Sequence, residues 1–252
     1  MFEFLFLFVS SLIMEIVDAG LGMGYGTVLS PFLISSGFDP LDIVPALLFS
    51  QAIGGFTAAV FHHRHKNVNF TRNSEDTKIA VVITFLGVLA TILSVFIAVN
   101  ISKFMLKTYI GILVLAMGLV ILSGYSFKFR LRKMVIVGII SSFNKGLSGG
   151  GFGPVVTGGQ IIGGKEIKSS IGVTTLAEAP VCIAGFLSYV AFNGIPSLSF
   201  LIPLSIGAVI AAPFGARVTK KIAGRRSKKI LGVIIAVLGL YTLLQTWGLL
   251  PF

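Results

Sequence analysis

Apolar residues run along nearly the whole chain and are separated by short polar stretches. They form ten segments, at residues 2–17, 25–36, 43–62, 79–99, 106–124, 134–147, 152–163, 170–192, 199–216 and 229–249. A helix that crosses about 30 Å of hydrocarbon needs roughly 20 residues. Six of the ten segments reach or approach that length. The pattern therefore predicts an all-α polytopic membrane protein.

The four short segments form two pairs, each joined by a glycine-rich run. Segments 2–17 and 25–36 flank GLGMGYG at residues 20–26, and segments 134–147 and 152–163 flank LSGGGFG at residues 147–153. Glycine is a poor helix former and loses much backbone entropy when it is ordered. We therefore expect each pair to be two short half-helices that meet at a break.

Composition agrees with a membrane protein. Of the 252 residues, 55% are hydrophobic and 12% are charged, whereas a soluble domain has about 25% charged residues. The net charge of +11 could suggest a nucleic-acid partner. However, the basic residues lie in short loops between apolar segments, which is the positive-inside pattern. We expect a lipid bilayer around the chain, no nucleic-acid partner and no cofactor.

The distribution of charge predicts an orientation in the cell membrane. If the segments alternate in direction, 17 of the 20 Lys and Arg residues fall on one side, in loops at 63–78, 125–133, 164–169 and 217–229. That side is expected to be cytoplasmic, so both termini face outward. The N-terminal run MFEFLFLF lacks the basic region of a signal peptide, and we expect it to start the first membrane segment.

The chain repeats itself at a spacing of 127 residues. This shift places GMGYG on GGGFG, Gln51 on Glu178, and Asp18 on Lys145. The repeat unit holds five segments, an odd number, so two copies insert with opposite orientations. We predict two inverted repeats, residues 1–126 and 127–252, within one integral membrane domain. Inverted repeats are typical of secondary transporters, whose sites lie at the midplane between the halves.

The glycine breaks are candidates for a binding site. Helices that restart near Tyr25 and Phe152 would expose helix N-termini, which bind anions. The alternative is close helix packing, in which small residues let two backbones approach. We predict that a small anion contacts Gly22, Gly24, Tyr25, Gly26, Gln51, Asn144, Lys145, Gly149, Gly150, Gly151, Phe152, Gly153 and Glu178.

Ionisable residues at membrane depth are costly and mark function by default. Lys145 is the candidate substrate cation, and its alternative role is an internal ion pair with Asp18, Glu15 or Glu178. Glu15, Asp18 and Glu178 are the coupling candidates for a proton or another ion. Glu178 is either a proton carrier or a neutral carboxyl that bonds a neighbouring helix. His62, His63 and His65 form the run HHRH, for which interfacial solvation is favoured over a metal site.

These features resemble the sulfite exporter TauE/SafE family over essentially the whole chain. The resemblance is carried by the paired glycine runs, by the prolines that follow them (Pro31 and Pro154), and by the stretch from Gly172 to Phe186. It implies a permease for small sulfur-containing or organic anions such as sulfite, sulfonates or sulfoacetate, built from two inverted repeats, with a homodimer as a candidate assembly. It also implicates the break residues Gly22, Gly24, Gly26, Gly149, Gly150, Gly151 and Gly153.

One departure from symmetry concerns the two halves of the site. The first copy carries Asp18 and Met23 where the second carries Lys145 and Gly150. We therefore expect the halves to contribute unequally, one to the substrate and one to coupling. The expected function is a secondary transporter of the exporter type that works by alternating access, and not an enzyme. The alternatives are an intramembrane enzyme acting on a lipid or prenyl substrate, a passive anion channel and an accessory subunit.

Overall fold

The structure is a computed structural model that describes residues 2–124, 131–162, 164–222 and 225–250. These residues form ten α-helices and no strand: α1 (Phe2–Leu21), α2 (Tyr25–Ser35), α3 (Pro40–Arg64), α4 (Glu75–Asn100), α5 (Lys103–Ser123), α6 (Leu131–Ser148), α7 (Phe152–Ile162), α8 (Ile167–Asn193), α9 (Leu198–Ile222) and α10 (Arg225–Thr246). One helix matches each predicted segment. Residues 125–130, which contain the predicted boundary between the repeats and the basic residues Lys128 and Arg130, lie outside the described residues.

Seven of these helices, α1, α3, α4, α5, α8, α9 and α10, are long and apolar enough to cross a membrane. The apolar pattern predicts six spans of this length, and the difference is α1. The prediction that the first segment is short and ends near residue 17 is wrong, because α1 has 20 residues and ends at Leu21. Glu15 and Asp18 are buried among other helices instead of facing lipid, so the membrane helix continues past them.

The short helices are the ones that follow the breaks. α2 and α7 have 11 residues each, whereas α6 has 18. Each glycine run therefore joins a long helix to a short one. Gly22 and Gly149 lie at equivalent places in the two breaks and adopt φ angles of 72° and 71°. Glycine populates this left-handed region without the steric cost that a side chain would add, which explains why glycine stands at both places.

Polar side chains start several of the long helices. Asp39 precedes Pro40 and accepts a hydrogen bond from the Leu41 amide, at the start of α3. Ser74 and Ser102 accept from the amides three residues further on, at the starts of α4 and α5. Such caps satisfy N–H groups that have no partner within the helix. Local sequence therefore fixes where these three helices begin.

Helices α3 and α8 pack against each other and are the most buried spans. α9 packs against α1 and α3, α4 packs against α6 and α8, and α5 packs against α10. The pairings are symmetric between α1–α5 and α6–α10. For example, the pair α1–α9 corresponds to α6–α4, and the pair α3–α9 corresponds to α8–α4. The outer helices expose many large apolar side chains, including Phe85 and Leu89 of α4 and Val237 of α10. In a bilayer these side chains would face lipid.

The histidine run behaves differently from the expectation at one position. His62 is fully buried, its Nε2 lies 2.9 Å from the Ala19 carbonyl oxygen, and its Nδ1 lies 3.1 Å from Asn67 Nδ2. Because the Asn67 amide donates to Nδ1, Nε2 carries the proton and donates to Ala19. The expectation of interfacial solvation is therefore wrong for His62, which ties the end of α3 to α1. His63 is exposed.

The close approach of the two breaks can be tested with two glycines of α7. A Cβ atom at Gly153 would lie 2.5 Å from the Gly22 carbonyl oxygen, whereas a Cβ at Gly158 would meet nothing within 4 Å. We expect Gly153→Ala to destabilise the protein by about 1–3 kcal/mol, as overpacking does, and to lower the melting temperature in detergent. Gly158→Ala is the matched control and should be neutral or stabilising. Equal melting temperatures for the two variants would contradict the described packing.

Candidate functional site

The two glycine breaks touch each other near the middle of the helix assembly. As predicted, α2 restarts at Tyr25 and α7 restarts at Phe152. Gly26 packs directly against the Gly149 carbonyl, and Gly153 packs against the Gly22 carbonyl. The two contacts are equivalent, because Gly153 is the 127-residue counterpart of Gly26 and Gly149 is the counterpart of Gly22. Close packing, the alternative use of glycine, is therefore present at the breaks.

Four polar side chains meet beside the breaks and form what we call the central cluster: Asp18 of α1, Gln51 of α3, Lys145 of α6 and Glu178 of α8. Lys145 Nζ lies 2.8 Å from Glu178 Oε1. Gln51 Nε2 donates to Glu178 Oε1 at 3.2 Å and to Asp18 Oδ2 at 3.3 Å. Lys145 also donates to Gln51 Oε1. Lys145 is fully buried, and the other three are at most 7% exposed.

The contacts of Gln51 determine how its amide is oriented. Its oxygen accepts from the Lys145 ammonium, and its nitrogen donates to two carboxylates. The opposite orientation would place the amide oxygen against both carboxylates, which have no proton to donate when they are ionised. Gln51 therefore connects the acidic and the basic members of the central cluster, and it joins all four helices at one point.

Asp18 also caps the restarted helix α2. Its Oδ1 accepts from the Tyr25 amide at 3.0 Å, so the N-terminus of α2 already holds a carboxylate of the protein itself. A negative charge at that place is favoured by the partial positive charge of a helix N-terminus. At the second break the counterpart of Asp18 is Lys145, which has no acceptor atom. The two helix N-termini are therefore unlike.

The other predicted side chains have separate partners. Tyr25 is fully buried, and its hydroxyl lies 2.9 Å from Ser11 Oγ and 2.7 Å from Ser50 Oγ. Asn144 Oδ1 accepts from the Tyr109 hydroxyl. The side chains of both residues therefore bond groups outside the central cluster.

Glu15 is 1% exposed, and its Oε2 has no hydrogen-bond partner. It lies against Gly54 of α3 and interacts electrostatically with Asp18, Lys145 and Glu178. A buried carboxyl without a partner is costly when it is charged. The three coupling candidates therefore lie within electrostatic reach of one another and of Lys145.

Sequence reasoning missed the hydroxyl groups that bridge the breaks. Thr157 Oγ1 donates to the Gly22 carbonyl oxygen at 2.9 Å, and Thr27 Oγ1 accepts from the Gly151 amide at 3.1 Å. Ser30, the counterpart of Thr157, is fully buried, and its Oγ has no partner. The available signal in the sequence was the hydroxyl residues in the first two turns of the restarted helices. Such residues often bond only their own helix backbone, so the signal is weak.

The central cluster is closed to solvent in this conformation. One cavity of about 480 Å³ is apolar and lies between α1, α2 and α10. Another, of about 510 Å³, is polar and lies near the loops that precede α4 and α8. Neither is lined by a member of the central cluster. Among the described residues there is no group of three or more His, Cys, Asp or Glu side chains that could hold a metal ion.

Comparisons with known proteins agree on a family. The sequence model of the family described as sulfite exporter TauE/SafE matches residues 7–242. The chain is similar to "Probable membrane transporter protein YtnM" of Bacillus subtilis, with 22% identity over 94% of this chain and 81% of that protein. It is also similar to "Probable membrane transporter protein MJ0441" of Methanocaldococcus jannaschii, with 23% identity over 96% of this chain and 98% of that protein.

No solved structure matches the chain. The family match covers most of the chain, and both relatives are named as probable membrane transporter proteins. Together with the seven apolar helices that are long enough to cross a bilayer, the match means that this chain is a multi-pass membrane transporter of the sulfite exporter TauE/SafE family.

Proposed function

We propose that the chain is a secondary transporter, of the exporter type, for small sulfur-containing or organic anions such as sulfite, sulfonates or sulfoacetate. The observation that carries the proposal is Lys145, a fully buried lysine in the last turn of α6 whose ammonium lies close to Gly26 at the other break. An uncompensated charge is costly in a membrane interior, and charged residues there mark substrate or ion pathways. The family description, which names sulfite export, supports a sulfur oxyanion as substrate.

Lys145 is the side chain that would bind the anion. In this conformation its charge is neutralised by Glu178 and hydrogen-bonded by Gln51. The anion therefore has to replace Glu178 as the partner of the ammonium. If the Lys145–Glu178 ion pair separates when the site opens to one side of the membrane, anion binding is coupled to that conformational change.

The proposed mechanism is alternating access between two inverted repeats. Its support is the matching φ angles of Gly22 and Gly149 and the helix pairings that survive exchange of the two halves. The central cluster adds further support, because Asp18 and Lys145 are counterparts and so are Gln51 and Glu178. Rocking of one repeat against the other around a fixed central site is how many transporters with inverted repeats work.

The chain is proposed to lie in the cell membrane with both termini outside and its basic loops in the cytoplasm. The support is the distribution of Lys and Arg along the sequence. Lys165 and Asp76 form an ion pair of 2.6 Å that joins the loop before α8 to the start of α4. This pair would lie on the cytoplasmic side and hold the two loops together.

Substitution of Lys145 tests the proposed site. We expect Lys145→Met to lower sulfite flux in proteoliposomes by more than roughly tenfold, because the variant keeps an unbranched side chain of nearly the same length and loses the charge that attracts the anion. Lys103→Met is the matched control, since Lys103 is 61% exposed and pairs with Asp39 at the surface. Its flux should equal that of the unchanged protein.

Three results would count against this proposal. Wild-type flux in folded Lys145→Met would remove Lys145 from the site. Single-channel currents far above carrier rates would favour the passive channel. No flux of sulfite, sulfonates or sulfoacetate by folded protein would contradict the transport proposal as a whole.

The proposed orientation can be tested with single cysteines in intact cells. Ser197 and Asn73 are exposed residues in the loops after α8 and α3, and Cys182 is fully buried. A membrane-impermeant maleimide should label Ser197→Cys from outside and should label Asn73→Cys only after permeabilisation. The unchanged protein is the control for labelling of Cys182. The opposite accessibility of the two positions would reverse the proposed orientation.

A further inference from the structure

The two halves of the site differ in a way that points to how the substrate binds, and this inference rests on the proposed transport function. We propose that the substrate is a small monoanion that binds at the N-terminus of α7, in the place that Asp18 occupies at the N-terminus of α2, and that it binds together with a proton on Glu178. The proton and the anion then cross the membrane in the same direction, and this direction is outward, as export requires, when the outward anion gradient exceeds the inward pH gradient.

The first half provides the template for the bound anion. The Asp18 carboxylate accepts from the Tyr25 amide with one oxygen and from Gln51 Nε2 with the other. The 127-residue shift carries Tyr25 to Phe152, Gln51 to Glu178, and Asp18 to Lys145. The second half therefore has the helix N-terminus and a side chain at the place of Gln51, but it lacks the carboxylate. A substrate with two terminal oxygens on one atom, such as a carboxylate, sulfite or sulfonate group, has the shape to replace it.

A second observation shows that the second break is incompletely satisfied. At the first break Thr157 donates to the Gly22 carbonyl. At the second break its counterpart Ser30 is fully buried, and its hydroxyl has no partner. A Cβ atom at Gly149 would lie 3.7 Å from the Cβ of Ser30, so this free hydroxyl adjoins the second break. Buried polar groups usually have partners, and an anion bound there gives Ser30 an acceptor.

Because Glu178 is the counterpart of Gln51, the comparison of the two halves also indicates which residue carries the proton. Gln51 can donate to Asp18 because its amide carries hydrogen. Glu178 at the equivalent place repels an anion when it is ionised and donates to one when it is protonated. Protonation also releases Lys145 from its ion pair with Glu178, which frees the ammonium for the substrate. A single proton on Glu178 therefore makes two groups available to the anion: the Glu178 hydroxyl as a donor and the Lys145 ammonium as a cation.

The net charge of the central cluster also favours binding of one proton with each monoanion. With Asp18, Lys145 and Glu178 ionised, the cluster carries one excess negative charge. Binding a monoanion together with a proton leaves this charge unchanged, whereas binding the anion alone adds a second negative charge in a medium where charge is costly. Transport of one proton with one monoanion is therefore expected to be electroneutral.

Several groups act on the Glu178 carboxyl from the helices around it. Lys145 of α6 pairs with it, and Asp18 and Glu15 of α1 repel its charged form. The Cys182 thiol lies on α8 itself and interacts with it electrostatically. α3 contributes the amide of Gln51, and α4 contributes hydroxyls to this region, including Thr84. The Glu178 carboxyl is therefore faced by one cation, one amide and two other acids.

The test uses the purified chain in proteoliposomes with radiolabelled methanesulfonate. This anion stays ionised at every working pH, so a proton that moves with it must be carried by the protein. We expect a pH gradient to accumulate the anion while the membrane potential is clamped at zero with potassium and valinomycin. We expect a potential without a pH gradient to produce no accumulation.

The test variant is Glu178→Gln, which gives the second half a glutamine at the place where the first half has Gln51. We expect this variant to lose accumulation driven by the pH gradient and to keep exchange of labelled for unlabelled methanesulfonate. Glu75→Gln is the matched control, because Glu75 is an exposed carboxyl at the start of α4, and it should behave like the unchanged protein.

The outcomes separate this inference from the transport proposal. Accumulation driven by the potential in the unchanged protein would overturn it, and so would gradient-driven accumulation by Glu178→Gln or loss of exchange in that variant when it is folded. Vesicles that transport sulfite but not methanesulfonate would overturn the inferred substrate class while transport itself stands. If Glu178→Gln does not fold, the response of the unchanged protein to pH and to potential still decides.

Discussion

The positive charge of Lys145, held away from water among apolar helices, is the constraint on which the rest of the structure depends. An unpaired buried charge costs several kcal/mol or more, and pairing has to be supplemented by hydrogen bonds to offset that cost. Glu178 provides the opposite charge, and the Gln51 oxygen provides a hydrogen-bond acceptor. The Gln51 nitrogen in turn reaches Asp18. Compensating this one charge therefore fixes the relative positions of α1, α3, α6 and α8.

The glycine breaks serve the same centre in two ways. They let α1 and α6 end inside the helix assembly, so that the helices that follow begin there. They also let the two backbones touch, because neither Gly26 nor Gly153 has a side chain to keep them apart. Close packing and a binding site, which were alternatives at the level of sequence, are compatible here. The contact between the breaks brings the second helix N-terminus next to the central cluster.

Much of the fold could be predicted from sequence, because hydropathy and glycine report it directly. The ten segments and the restarts at Tyr25 and Phe152 follow from local composition. The length of α1 could not be predicted in this way, since Glu15 and Asp18 are tolerated within a membrane helix only when other helices bury them, and tertiary packing decides that. For the same reason the partner of Lys145 stayed open among Asp18, Glu15 and Glu178. The cap that Asp18 makes on Tyr25 and the free hydroxyl of Ser30 depend on distances that no spacing in the sequence encodes.

The crossed helix pairings have a consequence for how the protein is made. α4 packs against α6 and α8, which are synthesised after it, and α9 packs against α1 and α3, which are synthesised long before it. The first five helices therefore cannot reach their final packing when they enter the bilayer, because α4 has neither of its main partners until α6 and α8 have been inserted. Chains of this size often fold domain by domain during synthesis. This chain has to complete both halves together, so an interrupted synthesis leaves no finished half behind.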